Sequence, residues 1–121
     1  MNHNAKQSKS DPVPVLSNPV DIDHVFTGGK KTMVLFEMTT CPYCRMFVSR
    51  FLDLAGSRSR DFDFLRVSLD DPGNPLWHKY EIHVVPMVMV VADGGITARL
   101  DSVPFLGITK KKWSEFCDSI R

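Results

Sequence analysis

An α/β domain, with a mixed central β-sheet flanked by helices, is the fold class that the sequence predicts. Two apolar stretches with strand composition, residues 32–38 and 62–70, enclose a stretch whose apolar residues recur at steps of three and four. A strand, a helix and a strand in this order form a crossover unit, so the two strands should be parallel. Two later apolar stretches, hinged on Asp93-Gly94-Gly95, have the composition of a tight hairpin.

Length and composition fit one folded domain. With 121 residues, 43% of them apolar and 24% charged, the chain can bury its own core. The 15 basic and 14 acidic residues nearly cancel, which argues against nucleic acid or an anionic membrane as the main partner. Residues 1–17 are polar and then proline-punctuated, so we expect a flexible N-terminal tail there and the folded domain over residues 18–121. No stretch has the apolar character of an export signal or a membrane span, and a soluble, cytoplasmic protein is expected.

The first predicted helix and strand precede the cysteines. Asn18 suits a helix N-cap and Pro19 the first helical position, while Gly28 and Gly29 suit the stop, so a short helix is predicted between them. Residues 32–38, "TMVLFEM", have no polar alternation before the glutamate. This pattern is typical of a strand that is covered on both faces.

The predicted helix after the cysteines has an apolar face that includes the second cysteine but not the first. The residues on this face are Cys44, Phe47, Val48, Phe51, Leu52 and Ala55. Gly56 and the polar residues after it end the helix. The next strand is predicted over residues 62–70, "FDFLRVSLD".

Three further stretches complete the order of elements. A short helix is predicted over residues 76–82, and two strands lie on either side of the Asp93 hairpin. A closing helix, with Thr109 as its N-cap, places four residues on one face: Trp113, Phe116, Cys117 and Ile120. The predicted order is helix, strand, helix, strand, helix, strand, strand, helix.

The close pair of cysteines could be half of a metal site, a structural disulfide or a redox-active pair. Cys41 falls at the start of a helix, where unpaired N–H groups and the positive end of the dipole stabilise a thiolate, the nucleophile of disulfide exchange. The dipole contributes about 0.3–1 kcal/mol, whereas one pKa unit corresponds to about 1.36 kcal/mol. Direct N–H contacts to the sulfur, with help from Arg45, are therefore needed as well. Cys44 faces the core, which suits a thiol that resolves a mixed disulfide. Pro42 stiffens the loop between the sulfurs.

The metal interpretation lacks ligands in the sequence. Zinc usually takes four protein ligands, and only Cys117, His78 and His83 remain to complete a site. Cys117 already has a place on the packed face of the last helix, and three cysteines are too few for a disulfide scaffold. The strand-to-helix position of the pair favours redox chemistry, and no metal or organic cofactor is expected.

From about Asn18 to its end, the chain resembles thioredoxin. The resemblance lies in "MVLFEMTTCPYCRMF" around the pair, in "VSLDDPGNPLWHKYEIHVVPMVMVVADGG" before the hairpin, and in "TKKKWSEFCDSI" at the end. It implies the thioredoxin fold and a cis-proline opposite the active site, at Val85-Pro86. Proline is tolerated at the first position of a strand. With a cis bond, Val85 would offer its backbone N–H and C=O to an extended substrate segment.

Three departures from the thioredoxin pattern matter. The pair encloses Pro-Tyr and follows Thr40, which is the motif typical of glutaredoxins, whereas thioredoxins carry Cys-Gly-Pro-Cys after a tryptophan. A glutathione pocket is poorly supported, because residues 37–39 lack the lysine of glutaredoxins and Gly94-Gly95 is followed by isoleucine and threonine. Leu35 stands where thioredoxins have a buried aspartate that assists proton transfer to the resolving thiol. Glu37 points to the same face two residues later and is either a substitute for it or a solvated strand end.

The resemblance implies a thiol-disulfide oxidoreductase that reduces protein disulfides, with Cys41 attacking and Cys44 resolving the mixed disulfide. The residues expected to bind the substrate are Val85, Pro86, Tyr43 and Thr40. The expected partners are disulfide-containing proteins and an electron donor of the thioredoxin-reductase type. The alternatives are a glutathione-linked, glutaredoxin-like enzyme, a disulfide-oxidising enzyme, and a non-enzymatic interaction module or iron–sulfur carrier.

Overall fold

A computed structural model of the chain describes residues 13–17, residue 22 and residues 31–120. Its strands are β1 (Val15–Leu16), β2 (Thr32–Glu37), β3 (Asp63–Ser68), β4 (Met87–Ala92) and β5 (Gly95–Leu100). Among the described residues, the helices are α1 (Pro42–Ser57), α2 (Leu76–Lys79) and α3 (Lys110–Ser119). The strands form one sheet in the order β1-β3-β2-β4-β5.

The sheet is mixed, as the sequence predicts. β2 and β3 are parallel, with Thr32 opposite Asp63 and Glu37 opposite Ser68, and α1 makes the crossover between them. β4 runs antiparallel to β2, and β5 runs antiparallel to β4. Every residue of β2 is buried, which confirms a strand covered on both faces.

Element bounds follow the prediction closely. α1 ends one residue beyond the predicted stop at Gly56, while α2 stops at Lys79 and is shorter than predicted. The hairpin between β4 and β5 turns through Asp93 and Gly94, whose φ angles of 55° and 79° are the left-handed values that tight hairpins require. Within the described ranges, no helix is long and apolar enough to cross a membrane.

The apolar side chains of β2 alternate between two core clusters, one on each face of the sheet. Val34 and Phe36 pack in one cluster with residues of α2, and they share it with Cys44. Met33 and Leu35 pack in the other cluster, against α1 and α3. There the rings of Phe47 and Trp113 meet edge to face, with centroids 4.8 Å apart. The apolar face predicted for α1 is therefore buried, and its first buried residue is the second cysteine.

The N-terminal part of the chain differs from the prediction. Val15 and Leu16, placed in a tail over residues 1–17, form β1 and pair with Arg66 and Val67 of β3. Val13 is buried beside them. The outer edge of β3 has backbone groups that need partners, and a two-residue strand is too short to leave a periodic signal in the sequence. The helix predicted between Asn18 and Gly29 lies outside the described residues except at residue 22.

Candidate active site

Cys41 is the N-cap residue of α1. Its backbone is extended, and its Sγ atom accepts a hydrogen bond from the backbone N–H of Cys44 at 3.2 Å. Pro42 takes the first helical position, where the lack of an N–H costs no hydrogen bond. The first sulfur therefore meets an unpaired N–H group at the positive end of the helix, as the sequence predicts.

Cys44 lies beneath this sulfur and is buried, whereas Cys41 is partly exposed. Burial raises the pKa of the Cys44 thiol well above its usual value, and the hydrogen bond with Cys41 and the negative charges of Cys41 and Glu37 raise this pKa further. A backbone hydrogen bond involving Met38 lowers the Cys44 pKa, by less than burial or the Cys41 hydrogen bond raises it. The two thiols thus occupy different environments, one open to an incoming disulfide and the other kept protonated.

The Val85-Pro86 peptide bond is cis, as the resemblance implies. The Cys41 thiol lies 3.7 Å from the carbonyl oxygen of Val85 and donates to it. Val85 and Pro86 are therefore brought directly beside the first cysteine, although they are more than 40 residues away in the chain.

Pro86 and the segment before it are held by two residues that were not predicted from the sequence. The hydroxyl of Ser102 is buried and donates to the carbonyl oxygen of Pro86. Arg99 donates to the carbonyl oxygens of Tyr80 and Glu81 and pairs with the Asp101 carboxylate. No sequence pattern distinguishes these residues from ordinary strand-end polar residues, since their contacts depend on the pairing of β4 with β5.

Glu37 is buried and forms an ion pair with Arg66 of β3. Its Oε2 accepts from Nε at 2.6 Å and its Oε1 accepts from Nη2 at 3.2 Å, so both carboxylate oxygens bind the same guanidinium group. Glu37 is thus not a solvated strand end. Arg66 was not among the predicted site residues, although an arginine inside the apolar strand β3 is a signal for a buried partner.

Thr40 and Arg45 are exposed beside the pair, and in the described part of the chain no hydrogen bond joins either side chain to a cysteine. The neighbouring Thr39 has a defined structural role instead. Its backbone N–H and its hydroxyl both donate to Asp70, at 2.7 and 3.1 Å, and this fastens the loop before the cysteines to the end of β3. These hydrogen bonds, that of the Thr39 N–H above all, lower the pKa of the Asp70 carboxyl.

Tyr43 occupies the second position between the cysteines and is partly exposed. Its hydroxyl donates to the carbonyl oxygen of Phe105 at 2.7 Å. Its ring lies against Gly107, where an added Cβ would stand 3.1 Å from the ring. The side chain therefore joins the start of α1 to the loop between β5 and α3. Nothing in the sequence indicated this contact, because it depends on how that loop folds.

The described residues include no group of three or more histidine, cysteine, aspartate or glutamate side chains with the arrangement of a metal site. Cys117 is partly buried on α3 against the core cluster that contains Phe47. Burial raises the pKa of its thiol.

A sequence model of the thioredoxin-like domain family matches residues 19–103, which is more than half of the chain. The chain belongs to this thioredoxin-like family. Thioredoxin from Mycoplasmoides gallisepticum is 28% identical over 79 residues, which make up 65% of this chain and 77% of that protein. Family membership and the close cysteine pair together support thiol–disulfide exchange as the general chemistry.

Solved thioredoxin structures share the fold of this thioredoxin-like chain. Fasciola hepatica thioredoxin, 21% identical, has a TM-score of 0.74, with 90% of this chain and 100% of that chain covered. Plasmodium falciparum thioredoxin, 16% identical, has a TM-score of 0.75 with the same coverage. Oxidised mitochondrial thioredoxin 3 of Saccharomyces cerevisiae, 17% identical, has a TM-score of 0.72, with 92% and 99% covered. At these identities the likeness establishes the thioredoxin fold.

Proposed function

We propose that this protein reduces disulfide bonds in other proteins, with Cys41 as the nucleophile and Cys44 as the resolving thiol. The observation that carries the proposal is the difference between the two sulfurs. One is partly exposed and accepts an N–H hydrogen bond at the start of α1, while the other is buried with a raised pKa. An outside disulfide can reach only the first without rearrangement of the core.

Two exchange steps account for the reaction. The Cys41 thiolate attacks one sulfur of the substrate disulfide, whose S–S bond breaks, and the other substrate sulfur leaves as a thiolate and takes up a proton. The Cys44 thiol then loses its proton and attacks the Cys41 sulfur, so the mixed disulfide breaks and the second substrate sulfur leaves as a thiol. The substrate gains two electrons and two protons, and the protein is left with a Cys41–Cys44 disulfide.

The second step needs an acceptor for the Cys44 proton, and we assign this role to Glu37. The negative charge of Glu37 contributes to the raised pKa of Cys44, which indicates that the two groups interact. A Glu37 carboxylate that takes up the proton becomes neutral and no longer opposes the forming thiolate. Arg66 holds the carboxylate in place through two hydrogen bonds.

The substrate segment binds alongside the cis-proline in this proposal. The Val85 carbonyl, which the Cys41 thiol contacts at 3.7 Å, is available to accept a backbone N–H of an extended substrate strand. Thr40 and Tyr43 border the same groove, and Arg45 adds positive charge near the nucleophile. Neither a metal nor an organic cofactor takes part in the exchange. An electron donor of the thioredoxin-reductase type returns two electrons to the disulfide, and the reducing cytoplasm suits such a cycle.

The test combines insulin reduction with trapping of the intermediate. We expect the wild-type protein, recycled by a thioredoxin reductase, to reduce insulin disulfides, and Cys41→Ser to abolish this activity. Cys44→Ser should accumulate a mixed disulfide at Cys41 that mass spectrometry detects, because the resolving thiol is missing. Cys117→Ser is the matched control and should behave as wild type. Undiminished activity of Cys41→Ser would contradict the proposal, and efficient turnover with glutathione and a small mixed disulfide, without the reductase, would indicate the glutathione-linked alternative.

A further inference from the structure

The loop between β5 and α3 exposes two large apolar side chains. Phe105 is 88% exposed and Leu106 is 61% exposed. Val103 and Gly107 close the loop through two hydrogen bonds, each 2.9 Å from nitrogen to oxygen. Phe105 has a φ of 67°, a left-handed value that is unfavourable for an aromatic residue. A strained backbone that holds a phenylalanine in solvent is a feature of recognition surfaces.

This loop is fastened to α1 at two points. The Tyr43 hydroxyl donates to the Phe105 carbonyl at 2.7 Å, and Arg50 Nη1 donates to the Ile108 carbonyl at 3.4 Å. Tyr43, Met46 and Arg50 are three and four residues apart and therefore share one side of the helix. Met46, which is 65% exposed, lies between the two attachment points. We call these four exposed residues the apolar patch: Tyr43, Met46, Phe105 and Leu106.

Positive charge borders the apolar patch. The three lysines of residues 110–112 begin α3 just after the loop. All three lysines are exposed, and none forms an ion pair with an acidic residue in the described part of the chain. Lysines in a first helical turn oppose the dipole, so the positive fields of the lysines and of the helix start add on this side. The acidic residue nearest the loop in sequence, Asp101, is paired with Arg99.

We propose that the apolar patch docks a segment of the disulfide-bearing protein substrate in which an apolar side chain is flanked by acidic residues. This inference rests on the proposed function and names the class of substrate that the site selects. Tyr43 lies between the two cysteines, so a molecule that covers the patch is held next to Cys41. The occupant is therefore the protein whose disulfide Cys41 attacks. The apolar side chain covers Phe105 and Leu106, and the acidic neighbours face the lysines of residues 110–112.

Binding of redox-inert peptides tests the docking separately from the chemistry. Three labelled peptides with serine in place of each cysteine carry a leucine flanked by aspartates, the same leucine flanked by lysines, or a serine flanked by aspartates. Fluorescence anisotropy should show the first binding about tenfold or more tightly than either of the others, with a preference over the lysine peptide that weakens as salt is raised. Equal affinities for the three peptides would overturn the proposal.

Two variants locate the binding on the patch. Phe105→Asn removes the ring but suits a left-handed backbone, so the fold should be kept while affinity for the aspartate peptide falls about tenfold. Replacing the three lysines of residues 110–112 by glutamine should remove the preference for aspartate over lysine flanks. The controls are Ile96→Ser and Arg60→Gln, an exposed apolar residue and an exposed cation near the opposite end of the sheet. They should bind as wild type.

The outcomes separate this proposal from the proposed function. Patch-dependent peptide selection without any insulin reduction would keep the docking surface and remove the reductase assignment. Insulin reduction with no peptide preference would keep the reductase assignment and remove the docking surface. The last experiment measures binding of the protein to vesicles of phosphatidylcholine that contain phosphatidylserine. Tight vesicle binding that Phe105→Asn abolishes, with no peptide binding, would overturn the proposal in favour of a membrane surface.

Discussion

Replacement of Gly107 by alanine tests the contact between Gly107 and Tyr43, which joins the segment between the two cysteines to the loop between β5 and α3. Gly107 has a φ of 71°, and a Cβ at this position would stand 3.1 Å from the Tyr43 ring. The left-handed backbone costs alanine about 1–2 kcal/mol. The close contact adds about 1 kcal/mol, at the low end of the cost of overpacking, because the partly exposed ring can move. Gly107→Ala should therefore lower the free energy of unfolding by about 2–3 kcal/mol.

Urea unfolding followed by tryptophan fluorescence measures this loss directly. In thermal unfolding, a chain of this size loses about 4 °C of Tm per kcal/mol, so the expected fall in Tm is about 8–12 °C. In a Tyr43→Ala background the contact with the ring atoms disappears while the contact with the Cβ of residue 43 remains. The same glycine substitution should therefore cost less than in the wild type, but no less than the backbone share of about 1–2 kcal/mol. Gly56→Ala is the matched control, because no atom lies within 4 Å of its added Cβ and alanine is the better helix former. Wild-type stability of Gly107→Ala, or an undiminished cost after Tyr43→Ala, would refute the reasoning.

Three further changes probe the core and the proton path. Glu37→Gln should slow the release of substrate thiol from a preformed mixed disulfide by about 100-fold in stopped-flow measurements, because the proton acceptor is lost. It should also reduce the free energy of unfolding by about 1.5–3 kcal/mol, since the two hydrogen bonds between Glu37 and Arg66 lose the carboxylate charge. The pKa of Cys44 is raised above an unfolded value of about 8.5, so its contribution to stability is complete below that pH and is lost as the pH rises. Urea unfolding of the reduced protein between about pH 7 and 10 should show an alkaline loss that is steeper than that of Cys44→Ser by up to about 1.4 kcal/mol per pH unit. Phe47→Ala removes a fully buried ring packed on Trp113 and should cost about 3–5 kcal/mol in the same assay.

Each of these changes has its own control or contrary outcome. Glu115→Gln removes an exposed glutamate of α3 and should alter neither the rate of resolution nor the stability. A wild-type resolution rate in Glu37→Gln would mean that water carries the Cys44 proton. Equal alkaline slopes in the wild type and Cys44→Ser would contradict the raised pKa. Met46→Ala, next to Phe47 but 65% exposed, should change the free energy of unfolding by no more than about 0.5 kcal/mol.

The features that could be predicted from the sequence are those that local rules determine. Cys41 as an N-cap, Pro42 at the first helical position and Cys44 on the buried face all follow from the position of the pair at the start of one amphipathic helix. The hairpin at Asp93 likewise follows from turn composition alone. These features involve residues within a few positions of one another, so the pattern contains what is needed to infer them.

The missed features are long-range or lack periodicity. The Glu37–Arg66 ion pair depends on the parallel register of β2 with β3, in which Arg66 stands opposite Leu35. The alternation of side chains along a strand predicts the face of β2 on which Glu37 lies, but no sequence pattern assigns it a partner on the neighbouring strand. The exposed Phe105 was missed for a different reason. A loop without regular structure gives no period that separates an apolar residue facing the core from one facing solvent.

The meeting of three distant segments at one active site follows from the topology of the sheet. Phe36, next to last in β2, pairs with Met87, the first residue of β4, so the chain leaving β2 toward Cys41 must pass the residue before Met87, which is Pro86. Because β5 is antiparallel to β4 and Leu100 pairs with Val88, the chain after β5 reaches the same end of the sheet. The patch loop therefore arrives beside the cysteines for the same reason that the cis-proline does. Substitutions in that loop should alter the choice of substrate while leaving the intrinsic chemistry of the pair unchanged, since the loop contacts α1 through Tyr43 and Arg50 and makes no hydrogen bond to either sulfur within the described residues.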